Sequence, residues 1–83
     1  MNKVLIIDAS PTDGRIMSGL LTLAGYEPVV EESIKAGKVE APKLPPGAVI
    51  VTAIRLSDGT AKEFINWLKT EGYNFPVLSL IHI

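Results

Sequence analysis

Apolar residues fall along this chain in two patterns, short unbroken blocks and longer stretches in which they recur every three or four positions. Val4, Leu5, Ile6 and Ile7 make the first block, closed by Asp8. A run of branched residues without polar alternation suits a parallel strand covered on both faces, so a first strand is predicted over 3–8. Ser10-Pro11-Thr12-Asp13 then offers a capping hydroxyl, a proline suited to the first helical turn and an acid three residues after the cap. Ile16, Leu20 and Leu23 recur at helical spacing, with Met17 and Ala24 beside them, until Gly25 supplies a stop. The spacing predicts a helix over 11–24 with an apolar stripe.

Val29-Val30, flanked by glutamates, suits a short edge strand over 27–31. Residues 33–41 carry only Ile34 and Val39 as sizeable apolar anchors and contain Gly37, so a second helix there is expected to be short and frayed. Pro42, Pro45, Pro46 and Gly47 form the clearest breaker cluster, and the block at 48–53 behind it reads as another doubly covered strand. Ser57-Asp58-Gly59-Thr60 offers turn and cap chemistry. Ala61, Phe64, Ile65 and Leu68 then share one helical face before Gly72. Phe75-Pro76 leads into a last strand over 77–83, apolar at all but Ser79 and His82. Strands alternating with helices imply an α/β fold, a parallel sheet with right-handed crossovers.

Composition narrows the function. At 83 residues the chain is a single domain, 1–83, and 47% hydrophobic residues is a generous apolar supply for its size. Some of it is expected to face a partner. A formal net charge of −1 removes the electrostatic basis for nonspecific nucleic-acid binding. The absence of cysteine rules out disulfides, thiolate metal sites and a Cys nucleophile. No apolar run approaches the ~18 residues of a membrane span, and the block at 4–7 is too short for a signal-peptide core. The expectation is a cytoplasmic protein without nucleic-acid or membrane partners.

Leu5-Ile6-Ile7-Asp8 closing the first strand, Leu23-Ala24-Gly25-Tyr26 closing the first helix, and Ile54-Arg55-Leu56-Ser57-Asp58-Gly59 after the third strand together resemble the receiver domain of two-component response regulators. The resemblance runs to about Leu80. It implies a flavodoxin-like three-layer fold with strand order 2-1-3-4, truncated before the last helix-strand-helix of the family. It also implies a site: an acidic pair after strand one that holds magnesium, and an acceptor aspartate at the end of strand three. Here Asp8 is the only remnant of the pair, since its neighbour is Ala9, and Ala53 occupies the phosphoacceptor position. The family's switch hydroxyl falls on Ile81, and the chain ends before the strand that would carry the family's lysine. No catalytic residue, metal or cofactor is therefore expected. The resemblance points to a pseudo-receiver, not an enzyme, acting in signalling without aspartyl phosphorylation.

The same resemblance leaves the helix-one side of strands three and four bare and strand four as an open edge. Exposing its apolar side chains forfeits ~1.5–3 kcal/mol each, against the ~5–15 kcal/mol net stability of a domain. A homodimer is predicted through Val77, Leu78, Leu80, Ile81, His82 and Ile83, with fourth strands paired antiparallel edge to edge and each helical layer covering the other's bare surface. Another signalling protein is the further partner considered. The alternative to a natural short protein is a fragment of a longer one.

Single residues add little chemistry. Asp8 is expected to cap local amides or helix one, and His82 has no Ser, Cys or second base placed to work with it. Trp67, off the main face of its helix, is expected to be partly packed. Asp58 is the only acid near the acceptor loop, conceivable as a displaced phosphorylation site. The alternative function is a small flavin- or phosphate-binding flavodoxin-like protein, because Ser10-Pro11-Thr12-Asp13-Gly14 opens a helix after the first strand. Asp13 opposes phosphate there.

Overall fold

The computed structural model describes residues 2–80, the side chain of Leu80 excepted, so Ile81, His82 and Ile83 of the expected interface lie outside the described residues. The elements are β1 (Lys3–Ile7), α1 (Pro11–Leu23), β2 (Glu27–Glu31), α2 (Ile34–Glu40) running into a 3-10 turn (Ala41–Lys43), β3 (Val49–Ala53), β4 (Arg55–Leu56), β5 (Gly59–Thr60), α3 (Ala61–Thr70) and β6 (Val77–Leu80). Four strands form one parallel sheet in the order β2-β1-β3-β6, the 2-1-3-4 arrangement predicted. Helices cover it from both sides, so the class is a three-layer α/β fold. Among the described residues no helix is long and apolar enough to cross a membrane.

The predicted caps close as hydrogen bonds. Ser10 Oγ accepts from Asp13 N at 3.3 Å, Ser33 Oγ from Ala36 N at 3.1 Å and Thr60 Oγ1 from Glu63 N at 3.3 Å. Each satisfies an amide that a helix start leaves unpaired. Gly25, at φ 92°, turns the chain out of α1, with Tyr26 N donating to Leu21 O at 2.9 Å. One element was not foreseen: β4 and β5 form an antiparallel hairpin around Ser57 and Asp58, with Leu56 opposite Gly59. Two-residue strands are too short to carry an alternating pattern, and only the turn chemistry was visible in the sequence.

Alternate residues of the central strands feed two cores. Leu5, Ile7 and Ile50 pack with Ile34, Phe64 and Leu68 of α2 and α3; Val77 and Trp67 lie against this cluster. Val4, Ile6 and Val51 face the other way, onto Met17 and Leu21 of α1. Gly37, which weakened the helical pattern of α2, is buried, and a Cβ there would stand 2.5 Å from Ile7 Cδ1. The missing side chain lets a short helix lie directly on β1.

The α1 stripe requires a correction. Ile16, Leu20 and Leu23 are 57, 62 and 87% exposed, whereas Gly14, Met17 and Leu21 face the sheet. Both sets have helical spacing, and the one with the bulkier side chains is the outer one. Gly14 sits against β2, where an added Cβ would stand 3.0 Å from Val30 Cγ1. The bare face lies where expected: Leu78, paired with Val51 and so on the α1 side of the sheet, is 60% exposed.

Candidate functional site

In open α/β sheets a ligand sits beyond the carboxyl ends of the strands, where the strand order reverses. In this sheet that point lies between β1 and β3. Ile7 is level with Thr52, so one residue further on Asp8 and Ala53 come side by side at the carboxyl edge. These are the two positions that the receiver resemblance assigns to the metal and the acceptor.

Asp8 is buried, at 4% exposure. Its backbone N–H continues the sheet by donating to Glu31 O at 3.0 Å, and its Oδ1 accepts from Ser10 N at 2.9 Å. The carboxylate thus braces the loop that enters α1, the local capping role expected of it. That amide is also the group a phosphate would need in this loop. With the Asp8 side chain already bonded to it, the Ser10-to-Gly14 segment is poorly suited to the flavodoxin-like alternative.

Ala53 is also buried and offers the edge a methyl group. The nearest hydroxyl along the strand, Thr52 Oγ1, is fully buried and donates to Ala53 O at 3.0 Å. Ala9 is exposed beside Asp8. No carboxylate stands at position 53 to attack a phosphoryl group, and position 9, directly after Asp8, is Ala where a second acid would be needed to share a hard cation. Among the described residues no three of His, Cys, Asp and Glu gather closely enough to hold a metal ion.

Asp58 is not placed for chemistry. The β4–β5 hairpin carries it across to the start of α2, where its Oδ1 accepts from Ile34 N and its Oδ2 from Lys35 N, both at 2.9 Å. These backbone hydrogen bonds, with a smaller contribution from the Lys38 charge, hold its carboxyl below the usual carboxylate range. The acid considered as a displaced phosphorylation site is a second cap on α2, working beside Ser33. Sequence reasoning missed this because the partners lie 23 and 24 residues apart. No local pattern links them.

Trp67 is partly packed, its ring 5.9 Å from both Phe64 and Tyr73, with Lys38 Nζ 5.5 Å from its centroid. Of the expected interface, Val77 turns toward the α3 core and Leu78 toward the open face.

No protein-family model and no curated protein matches the sequence. Solved structures do match. The N-terminal domain of a response regulator receiver protein from Methanoculleus marisnigri JR1 superposes with a TM-score of 0.89 over 98% of this chain and 67% of that one, at 22% identity. FixJ-N gives 0.86 over 95% of this chain and 62% of its own, at 24% identity. The beryllofluoride-activated NtrC4 receiver domain dimer gives 0.84 over 95% and 64%, also at 24%. The fold of this chain is therefore that of a response-regulator receiver domain. The chain spans about two thirds of the length of each of these structures.

Proposed function

We propose that this chain is a receiver-like signalling module that works by protein contact and does not use the aspartyl phosphorylation switch. One observation carries this reading: Ala53 occupies the end of β3 while its neighbour Asp8 is engaged with its own loop. A phosphoryl group needs an attacking oxygen and a cation to neutralise its charge. The edge supplies neither an acceptor carboxylate nor an acidic pair.

On this reading the module is noncatalytic, and its output depends on what it touches. The contact surface includes the fourth strand of the sheet, β6, where the exposed Leu78 supports association. Homodimerisation is the form of contact proposed. The experiment is incubation with acetyl phosphate and magnesium, followed by intact-mass analysis. No phosphoryl adduct is expected on the wild-type chain, whereas an acid-stabilised, hydroxylamine-sensitive adduct would refute the reading.

A further inference from the structure

Resting on the contact-module reading, we propose that a second copy of this chain covers the bare face of β3 and β6 with its own α1. The outward stripe Ile16, Leu20 and Leu23 of one copy seats on Val49, Val51 and Leu78 of the other, reciprocally about a two-fold axis.

Both halves of the contact are present in one chain. The floor is a trough of about 280 Å³ beside α1, lined by Val4, Leu21, Tyr26, Val49, Val51 and Leu78. The wall is α1. Its Arg15, Ser18 and Gly19 lie on the flank over β2, with Val30 and Glu32. At 100° per residue, Leu20 then falls on the opposite flank, toward β3 and β6, with Ile16 and Leu23 between it and the outer surface. Leu20 therefore stands on the trough side of α1, while Ile16 and Leu23 lie on its outer surface.

A helix apolar on its inner positions, Met17 and Leu21, and on its outer ones has the pattern of a helix covered on both sides. The sheet covers one side only. A second copy can cover the other without a charge penalty. A two-fold contact sets a patch against itself, so any charge within it would face its like. Residues 16–26, Val49–Ala53 and Val77–Leu80 contain no Asp, Glu, Lys, Arg or His. Such a surface can meet its own copy without desolvating a charge.

Face packing also improves on the edge pairing expected from the sequence. Antiparallel β6 edges about a two-fold normal to the sheet would keep both α1 helices on the same side. The open floor would then widen to four strands, roughly 15–20 Å, and Leu78 would stay exposed. Seating the partner's α1 on the floor covers Leu78 and the stripe together.

The chain has no cysteine, so single-cysteine variants report the arrangement cleanly. Light scattering of the wild-type chain at micromolar concentration is expected to give twice the monomer mass. Leu20→Asp and Leu78→Asp should each reduce it to the monomer with an unchanged far-ultraviolet circular dichroism spectrum. Mixing Leu20→Cys with Leu78→Cys under mild oxidation should give the mixed disulfide, a readout that does not require the aspartate variants to fold. A monomeric wild-type chain would overturn the proposal, whatever else then covers the face. So would a dimer that crosslinks through Ser79→Cys to itself and yields no mixed disulfide, the outcome of edge pairing. A monomer would also remove homodimerisation from the proposed function, whereas an edge-paired dimer would leave it standing; neither result bears on phosphoryl transfer, which the acetyl phosphate experiment tests separately.

Discussion

Asp58 and Ala53 mark the limits of reading chemistry from residue type. The resemblance to receiver domains assigns the acceptor position to Ala53, and the register brings that residue beside Asp8 at the carboxyl edge. Asp58 was visible as an acid near that loop, but its task was not, since the amides it caps are supplied by α2 through the tertiary fold. The cap has a pH signature with a definite sign. Its folded-state pKa lies below the ordinary value of 3.8, so its contribution to stability is present above that value and is lost as pH falls through the folded pKa. Asp58→Asn should therefore speed amide exchange at Ile34 and Lys35 near neutral pH and flatten the acid side of the stability curve. Hydrogen exchange followed by NMR, with unfolding at several pH values, checks both. Unchanged exchange at these two amides would remove the cap from the account.

At the scale of elements, order and bounds carried through, the short β2 and α2 included, while the buried face of α1 did not. The unbroken blocks of β1 and β3 became the central strands, and the cap-and-glycine punctuation located α1 and α3 to within a residue or two. Burial on α1 was misread because helical periodicity identifies a stripe without saying which of two stripes faces the sheet. Gly14 decides, by allowing close approach to Val30. In a Leu78→Asp background, chosen to remove the proposed association through the open face, Leu21→Ala should cost about 1–3 kcal/mol, as expected for a partly buried leucine. Leu20→Ala, on the outer stripe, should change stability by no more than about 0.5 kcal/mol. Urea unfolding of the two variants separates the faces, and equal losses would mean that α1 sits differently on the sheet. The β4–β5 hairpin lay beyond any periodic signal, being held by its Leu56–Gly59 pairing and by Asp58 docking onto α2.

For the whole molecule, sheet order and fold were recoverable because the resemblance rests on the order and spacing of several short motifs, which also agree with the local propensities. The match to receiver structures at 22–24% identity bears this out at the level of fold. The proposed function rests mainly on absence, in the side chains that the resemblance expects at this edge and the sequence lacks. What the sequence could not supply was the direction of the apolar side chains on β6 and α1, on which the choice between edge and face packing in the proposed dimer rests. The central claim is that this edge no longer works as a phosphoryl switch. Titrating the isotopically labelled chain with beryllofluoride and magnesium tests it most directly. The account predicts no saturable amide shifts at Asp8, Ala53 or their neighbours, and saturable shifts centred on that edge would contradict it.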